Sequence, residues 1–201
     1  MNTPIETSTP VGGSLAQLVR RPLRFTLEDT NRAGIEWRFN CGPGALCAVL
    51  DMTPDELRPK LHDFERKGYT NPTLMKVALC NCDAEWSLWY RADNPGNSLL
   101  PNLDSALVRV QWSGPWTRPG VPMRVRYRQT HWIGVRANSS EIFDINAMSV
   151  GGWITRDSWE NDLVPWLIGA CVPRGDGGWW PTHVFKVKPN TQAERPEASN
   201  V

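Results

Sequence analysis

The chain has 201 residues, of which 40% are hydrophobic, and its formal net charge is +1. A chain of this length can bury a substantial core, and a single domain with short tails is the expected organisation. The near-zero net charge argues against a partner that is bound through overall charge. The five cysteines are dispersed and odd in number, which is typical of proteins in a reducing compartment.

Residues 1–7 have neither a cationic start nor an apolar run, and no stretch approaches the length of a membrane span. We therefore expect a cytoplasmic protein that does not contact a membrane. Secretion into a host cell by a route that needs no signal peptide is the alternative. The oligomeric state is not predicted.

Residues 1–13 and 189–201 are polar, which predicts two tails on either side of a domain that spans residues 14–188. The first half of this domain is predicted to be helical. Helices are expected over 14–21, 41–50, 53–66 and 71–79, with a polar connection over 25–32. Two helix starts are marked by Thr53 and Asn71, which each precede a proline, because such residues cap a helix and proline fits its first turn.

From Asp83 onwards the hydrophobic pattern changes to that of β-strands. Strands are predicted over 86–90, 106–112, 122–127, 131–136, 141–146 and 182–188. A turn is expected at 94–97, a short helix over 99–107, and a helix over 156–166 with Pro165 near its end. Residues 137–140 are predicted to form the turn of a hairpin. Because helices come first and an antiparallel sheet follows, the order of elements predicts an α+β fold.

The segment 37–50, WRFNCGPGALCAVL, places Cys41 at the start of an apolar helix. The sequence GPG breaks the preceding pattern, and apolar residues at helical spacing follow it. At a helix start, unpaired backbone N–H groups and the positive end of the helix dipole stabilise an anion, which lowers the pKa of a thiol. We predict that Cys41 is a nucleophile. The alternative is a buried packing cysteine, and only a nearby base distinguishes the two.

The predicted hairpin provides such a base. His131 begins one strand and Asp144 lies near the end of the next, so antiparallel pairing returns Asp144 to the level of His131. A carboxylate on one imidazole nitrogen fixes the tautomer and leaves the other nitrogen to accept a thiol proton. Cys41, His131 and Asp144 are therefore the predicted catalytic residues. Asn146 is the alternative orienting residue, because it lies two residues further along the same predicted strand face.

His183 is the competing general base, because it also lies at the beginning of a predicted strand. Only Glu194 supplies a carboxylate after His183, and Glu194 belongs to the predicted tail. We therefore favour His131 over His183.

The chain resembles papain-like cysteine peptidases in the order Cys, His, Asp. The motifs that carry this resemblance are NCGP at a helix start, HWIGV at a strand start and FDIN on the next strand. The most similar pattern is that of the type that processes bacteriocin leaders, and the resemblance covers residues 35–146. It implies a papain-like α+β fold in which Cys41 is the nucleophile, His131 the general base and later acid, and Asp144 the orienting residue. It also implies hydrolysis of a peptide or isopeptide bond through a thioester.

One position departs from this family. Its members carry a glutamine several residues before the nucleophile as an oxyanion-hole donor, whereas the nearest upstream glutamine here is Gln17. Glu36 stands near the expected place, but an ionised carboxylate donates no hydrogen bond. We expect Asn40 to act as the donor, together with the backbone N–H of Cys41. Loss of one such donor costs roughly two to three orders of magnitude in rate.

The chain contains 11 tryptophans, and most of them are expected in the core because this side chain buries a large area. The tryptophans beside Gly and Pro in loops are candidates to form the wall of a groove for an extended ligand, namely Trp112, Trp116, Trp179 and Trp180. Trp132, Trp112 and Trp179 are the predicted substrate-binding residues.

No metal ion or other cofactor is predicted. The pair Cys80 and Cys82 lacks a second pair at zinc-binding spacing, and the glycine-rich segments 151–152 and 175–178 lack the lysine of a phosphate-binding loop.

Between residues 105 and 140 the chain has six arginines and no acid. Because no nucleic-acid motif accompanies them, we expect the arginines of strand 122–127 on a solvated face and no nucleic-acid partner. Recognition of an acidic peptide or nucleic acid is the alternative.

These patterns predict a thiol hydrolase that acts on a protein or peptide substrate. Two other functions are compatible with the same residues. One is deamidation or transglutamination of a protein glutamine, which also passes through a thioester, and the other is a weakly active papain-like binding module. The missing glutamine favours the binding module, whereas the NCGP helix start and the hairpin from His131 to Asp144 favour the hydrolase.

Overall fold

The computed structural model describes residues 22–91, 100, 102–126, 128–172 and 174–188. The helix expected over 14–21, the turn at 94–97 and both predicted tails lie outside these residues. Within the described ranges, no helix is long and apolar enough to cross a membrane.

Helices fill most of the described chain before the first strand. These are α1 (Leu27–Trp37), α2 (Cys41–Leu50), α3 (Pro54–Leu57), α4 (Phe64–Lys67) and α5 (Pro72–Asn81), and three short helices follow later, α6 (Met123–Arg126), α7 (Arg156–Ser158) and α8 (Val164–Ala170). Short 3₁₀ segments lie at Arg58–Lys60, Pro115–Thr117 and Ile145–Val150, and a π-helical turn at Trp159–Leu163 joins α7 to α8.

The strands of the described chain form one antiparallel sheet. They are β1 (Trp86–Arg91), β2 (Ser105–Trp112), β3 (Thr130–Arg136), β4 (Glu141–Phe143), β5 (Trp153–Thr155) and β6 (Trp179–Val187). Their order across the sheet is β1-β6-β2-β3-β4-β5. The predicted α+β class, with helices first and an antiparallel sheet after them, is confirmed.

Two hydrophobic clusters cover the two faces of the sheet. Successive side chains of a strand point to opposite faces, so Trp132 belongs to one cluster and Ile133 to the other. The first cluster joins the sheet to α1, α2 and α5, and the second joins it to Trp159 and α8. The sheet is therefore the middle layer between two sets of helices.

Helix α2 approaches β3 closely at Gly134. A Cβ atom at Gly134 would lie 2.8 Å from Cγ2 of Val49, so a larger residue would push the helix away from the strand. This contact fixes α2 against β3. As a result, Cys41 at the start of the helix lies beside His131 near the start of the strand.

The polar connection predicted over 25–32 is wrong, because α1 begins at Leu27. Thr26 and Asp29 form a capping box at its N-terminus, and Thr30, Ala33 and Trp37 are buried at helical spacing. The polar residues of the exposed helix face obscure this pattern in the sequence.

The helix predicted over 53–66 is interrupted. It begins at Pro54 as expected, with a capping box between Thr53 and Glu56, but Pro59 lacks the N–H group that would continue it. Asp63 then adopts a positive φ of 65° before α4, which ends at Gly68. The next predicted helix, over 71–79, is confirmed as α5, and Asn71 caps it.

Two predicted elements of the second half are replaced by others. Residues 105–107 belong to β2 and not to the helix expected over 99–107, and residues 123–126 form α6 in place of the strand expected over 122–127. Met123 and Val125, the apolar residues of the predicted alternation, are exposed because no strand of the sheet lies beside them. The arginines of this segment therefore do not share a strand face.

The other predicted strands have counterparts in the sheet, with different ends. The strand predicted over 141–146 stops at Phe143, and Asn146 lies in the 3₁₀ turn that follows. The last strand begins at Trp179 rather than near Thr182. The helix predicted over 156–166 continues to Ala170, and Pro165 lies at the beginning of α8 because the first turn of a helix tolerates its missing N–H group.

Candidate active site

Cys41 is the first residue of α2, as the sequence predicts. Asn40 caps this helix, because its Oδ1 accepts a hydrogen bond of 3.2 Å from the N–H group of Gly42. Nδ2 of Asn40 donates to the carbonyl oxygen of Gly68, also at 3.2 Å. The half-buried thiol of Cys41 therefore stands at the positive end of a helix whose start is tied to a neighbouring loop.

His131 is paired with Asp144. Nε2 of His131 lies 2.9 Å from Oδ2 of Asp144, and both residues are buried. The hairpin pairs Gly134 with Phe143, which puts Asp144 level with Ile133 and two residues away from His131. The two side chains are diagonal neighbours, at a separation that an imidazole and a carboxylate can bridge.

Further donors hold the carboxylate of Asp144 in place. Nε1 of Trp159 donates to Oδ2, and the backbone N–H group and Nδ2 of Asn146 both donate to Oδ1, each at 2.9 Å. Burial alone would raise the pKa of Asp144, but the charge of His131 and these hydrogen bonds lower it below its ordinary value. Asn146 thus holds Asp144, whereas the sequence had suggested that it could orient His131 directly.

The imidazole of His131 also contacts Cys41. The sulfur of Cys41 lies within reach of the ring of His131 and of the backbone N–H group of Trp132, since both groups act on the pKa of its thiol. Nε2 of His131 faces the carboxylate of Asp144. The other ring nitrogen, Nδ1, is therefore the one that can exchange a proton with the sulfur of Cys41. One imidazole therefore connects a thiol on α2 to a carboxylate that follows β4.

These contacts change the proton affinities of both groups. Burial alone would raise the pKa of Cys41, but the charge of His131 and the hydrogen bonds from His131 and Trp132 outweigh it and lower the pKa. Burial alone would lower the pKa of His131, whereas the charges of Asp144 and Cys41 raise it well above its usual range. Both shifts favour a thiolate beside an imidazolium, which is the reactive form of such a pair.

Cys47 shows what burial does without such partners. It lies in the same helix as Cys41 and is fully buried. Burial, with minor contributions from Cys82 and Glu56, raises the pKa of its thiol well above the usual range. The contrast identifies contact with His131 as the cause of the opposite shift at Cys41.

Trp112 covers the ring of His131. The two ring centroids are 6.0 Å apart, and the ring planes make an angle of 27°. Nε1 of Trp116 donates to the carbonyl oxygen of Trp112 at 2.7 Å, which fixes the backbone at this position. The buried indole excludes water from one face of His131 and so strengthens its electrostatic interaction with Asp144.

Two clefts meet at Cys41. The larger has a volume of about 930 Å³ and lies between the start of α5 and the segment 124–130. The smaller has a volume of about 450 Å³ and includes the stacked rings of Trp112 and His131 in its wall. Four residues line both clefts, namely Asn40, Cys41, Arg128 and Thr130. An extended chain has space on both sides of the thiol.

The three tryptophans that we predicted to bind substrate lie in different places. Trp132 lines the larger cleft and Trp112 the smaller one. Nε1 of Trp132 donates to the carbonyl oxygen of Thr70 at 2.8 Å, which anchors the ring. Trp179 packs edge-on against Trp159 in the core, with ring centroids 5.0 Å apart, and is not among the described residues that line either cleft.

His183, the competing base, lies on β6, two strands away from β3. It pairs in register with Arg109, stacks on Phe185 and lines the larger cleft. The imidazole that contacts both Cys41 and Asp144 is that of His131.

Sequence reasoning missed two buried residues that support the site. Trp159 holds Asp144, and the preference of a buried indole N–H for an acceptor is a general signal that does not reveal the partner. Nε2 of Gln111 lies 3.0 Å and 2.8 Å from the carbonyl oxygens of Arg126 and Gln129, so it holds the segment that leads into β3. No local pattern in the sequence marks Gln111.

No group of three or more His, Cys, Asp or Glu side chains in the described part of the chain is placed to hold a metal ion. No protein-family model matches the chain, and no curated protein or solved structure matches it.

Proposed function

We propose that the protein is a papain-like thiol hydrolase that cleaves a peptide or isopeptide bond with Cys41, His131 and Asp144 as its catalytic triad. The observation that carries this proposal is the position of the His131 ring, which contacts Cys41 on one side and is held by Asp144 on the other. Trp159 and Asn146 fix that carboxylate in turn. A cysteine that served only to fill the core would need none of these contacts.

Acylation of Cys41 is the first half of the proposed reaction. The thiolate attacks the carbonyl carbon of the scissile bond, a C–S bond forms, and negative charge collects on the carbonyl oxygen. His131 gives its proton to the leaving nitrogen, the C–N bond breaks, and a thioester remains on Cys41. Asp144 keeps the ring in one orientation and stabilises its positive charge.

Water completes the second half of the reaction. His131, now neutral, takes a proton from a water molecule while the water oxygen attacks the thioester carbon. The C–S bond then breaks, which releases the carboxylic acid and restores the thiolate of Cys41 beside a protonated His131.

The developing oxyanion needs hydrogen-bond donors close to Cys41. The backbone N–H group of Cys41 is one, because the first N–H groups of a helix have no partner within the helix. We propose Asn40 as the second donor. Its Nδ2 gives one hydrogen to Gly68 and carries another, and Asn40 borders both clefts beside the thiol.

Two clefts that open on either side of Cys41 fit a protein or peptide substrate better than a compact small molecule. The mechanism also requires a reduced sulfur. All five cysteines are free thiols, which supports a reducing compartment such as the cytoplasm as the place where the enzyme works.

Alkylation with iodoacetamide near neutral pH, followed site by site with mass spectrometry, tests the activation of Cys41. We expect Cys41 to react faster than Cys171, which is exposed and lines the same smaller cleft, and much faster than the buried Cys47. His131→Ala should abolish the advantage of Cys41 over Cys171. Equal rates for these two thiols in the native protein would contradict the proposal.

The products distinguish hydrolysis from the related reactions. Scission of a peptide or isopeptide bond supports the hydrolase, whereas the small mass gain of a glutamine that becomes glutamate supports a deamidase that uses the same thioester. A biological effect that survives Cys41→Ala would instead support a binding module.

A further inference from the structure

The larger cleft beside Cys41 is lined by basic side chains from separate elements. Lys76 comes from α5, Arg124 from α6, and Arg128 from the segment that leads into β3. No Asp or Glu is among the described residues that line this space. Basic side chains from three separate parts of the chain therefore line the same cleft, without a described acid among them.

These cations are not neutralised within the described part of the chain. Exposed arginines of the helical half, such as Arg24, Arg32 and Arg58, pair with the acids Glu56, Asp55 and Glu65. Lys76, Arg124 and Arg128 form no ion pair with a described carboxylate. Since other arginines find acidic partners, the cleft keeps positive charge for a ligand.

The start of α5 adds to the positive potential. Asn71 and Thr73 of its first turn line the cleft, and the N-terminal end of a helix carries partial positive charge. Arg109 and His183 lie side by side on the floor, where β2 and β6 pair. Clefts lined by one sign of charge concentrate the electric field and attract ligands of the opposite sign.

We infer that the larger cleft binds an acidic segment of the peptide substrate, through carboxylates close to the bond that Cys41 attacks. This inference rests on the proposed function, because thiolate attack requires an acyl group at Cys41 and therefore a peptide in the adjoining cleft. It also gives Arg124 and Arg128 a role that differs from the solvated strand face predicted from the sequence.

Binding to the full-length Cys41→Ala variant tests the inference without any catalysis. The probe is a fluorescent peptide of alternating Ala and Glu, acetylated and amidated at its ends, and it is compared with versions that carry Gln or Lys in place of Glu. Each exposed charge contact contributes about two- to fivefold in affinity, so we expect the Glu peptide to bind about tenfold or more tightly than the Gln peptide. Added salt should reduce this ratio.

Reversing the charge of the basic residues in the larger cleft tests whether they cause the preference for the Glu peptide. The quantity to follow is the affinity for the Glu peptide divided by the affinity for the Gln peptide. It should fall to one or below in the triple variant Lys76→Glu, Arg124→Glu, Arg128→Glu. Arg128→Glu alone should reduce it in part. The ratio is measured within each variant, so a general change in stability or affinity does not mimic the effect. Arg118→Glu is the matched control, because Arg118 is exposed and is not among the residues that line the cleft, and it should keep the ratio.

Two further binding measurements identify which kind of negatively charged group the cleft recognises. A Gln peptide with a free C-terminus that binds as tightly as the Glu peptide would assign the cleft to a terminal carboxylate, which overturns the assignment to acidic side chains. A single-stranded oligonucleotide of equal charge that displaces the Glu peptide at equal concentration would overturn the inference in favour of a general polyanion site.

Equal affinity for the Glu and Gln peptides, or a preference that survives the triple reversal, would also overturn the inference. The outcome is separable from that of the alkylation experiment. If Cys41 does not react fast, the proposed hydrolase mechanism is wrong, but Cys41→Ala can still prefer the Glu peptide. If only the preference for the Glu peptide is missing, the hydrolase proposal is unaffected.

Discussion

The carboxylate of Asp144 binds the ring of His131 and also caps the 3₁₀ segment that begins at Ile145. Its Oδ1 accepts the backbone N–H group of Asn146 and so caps the turn, while its Oδ2 lies 2.9 Å from Nε2 of His131. In a continued β-ladder the residue opposite His131 would be Asn146, because Gly134 pairs with Phe143. The early end of β4 therefore brings Asp144, rather than Asn146, to the ring.

Replacement of Asp144 by Asn should reduce the rate of hydrolysis by about two orders of magnitude or more. The variant keeps the shape of the side chain but loses the charge that stabilises the imidazolium and selects its tautomer. Asp157→Asn on α7 is the control, because Asp157 is exposed. Steady-state rates of both variants provide the measurement, and a rate for Asp144→Asn within a few-fold of the native rate would exclude Asp144 from the triad.

The pH profile of alkylation at Cys41 should differ from that of an ordinary thiol. The pKa of Cys41 is lowered and that of His131 is raised, and both shifts favour the pair of a thiolate and an imidazolium. Alkylation should begin at a lower pH than in a short cysteine peptide, and His131→Ala should move the profile to higher pH. Labelling at a series of pH values checks this, and a native profile that overlays the peptide profile contradicts it.

Replacement of Trp159 by Phe should weaken the site through Asp144. The variant keeps an aromatic ring but removes the N–H donor to Oδ2, and loss of a hydrogen bond to a charged group costs about 1.5–3 kcal/mol. Because that bond helps to lower the pKa of Asp144, the acid limb of the activity profile should move to higher pH. Trp166→Phe on the exposed side of α8 is the control. A loss of stability without a shift of the acid limb would assign Trp159 a packing role alone.

Replacement of Gly42 by Ala should destabilise the fold. A Cβ atom at Gly42 would lie 2.3 Å from Oγ1 of Thr70, whose carbonyl oxygen anchors Trp132. Thr is too short to move aside, so the start of α2 must shift, at a cost of about 1–3 kcal/mol. Gly169→Ala in α8 meets no atom within 4 Å and should be neutral or stabilising. Denaturant midpoints of the two variants provide the measurement, and equal midpoints would show that the contact at Gly42 is relieved without cost.

Asn40→Ala should reduce both stability and rate. Loss of an N-cap costs about 1 kcal/mol, and loss of an oxyanion donor costs roughly two to three orders of magnitude in rate. Thr53→Ala removes the N-cap of α3 and should reproduce only the loss of stability. If both variants hydrolyse substrate equally fast, Asn40 acts solely as a helix cap and the second oxyanion donor lies elsewhere.

Several elements could be predicted because their signals are local. The sequence GPG after Cys41 marks the start of α2, and Asn71 with Pro72 marks the start of α5, because a cap or a fixed φ acts within a few residues. The turn at 137–140 and strand β3 follow equally from neighbouring residues. Where the same local pattern fits two structures, the prediction failed. The alternation of Met123 and Val125 suits a strand, but no neighbouring strand lies beside them, and the segment forms α6 instead.

The sequence by itself determined that a cysteine opens an apolar helix, that a histidine lies near the start of a strand and that an acid comes near the end of the next strand. Only the tertiary structure decided that Gln111 and Trp159 support the site, that Trp179 belongs to the core and that Arg128 lines both clefts at Cys41. These contacts join residues far apart in the chain, and their energies depend on packing distance and burial, which no local pattern records.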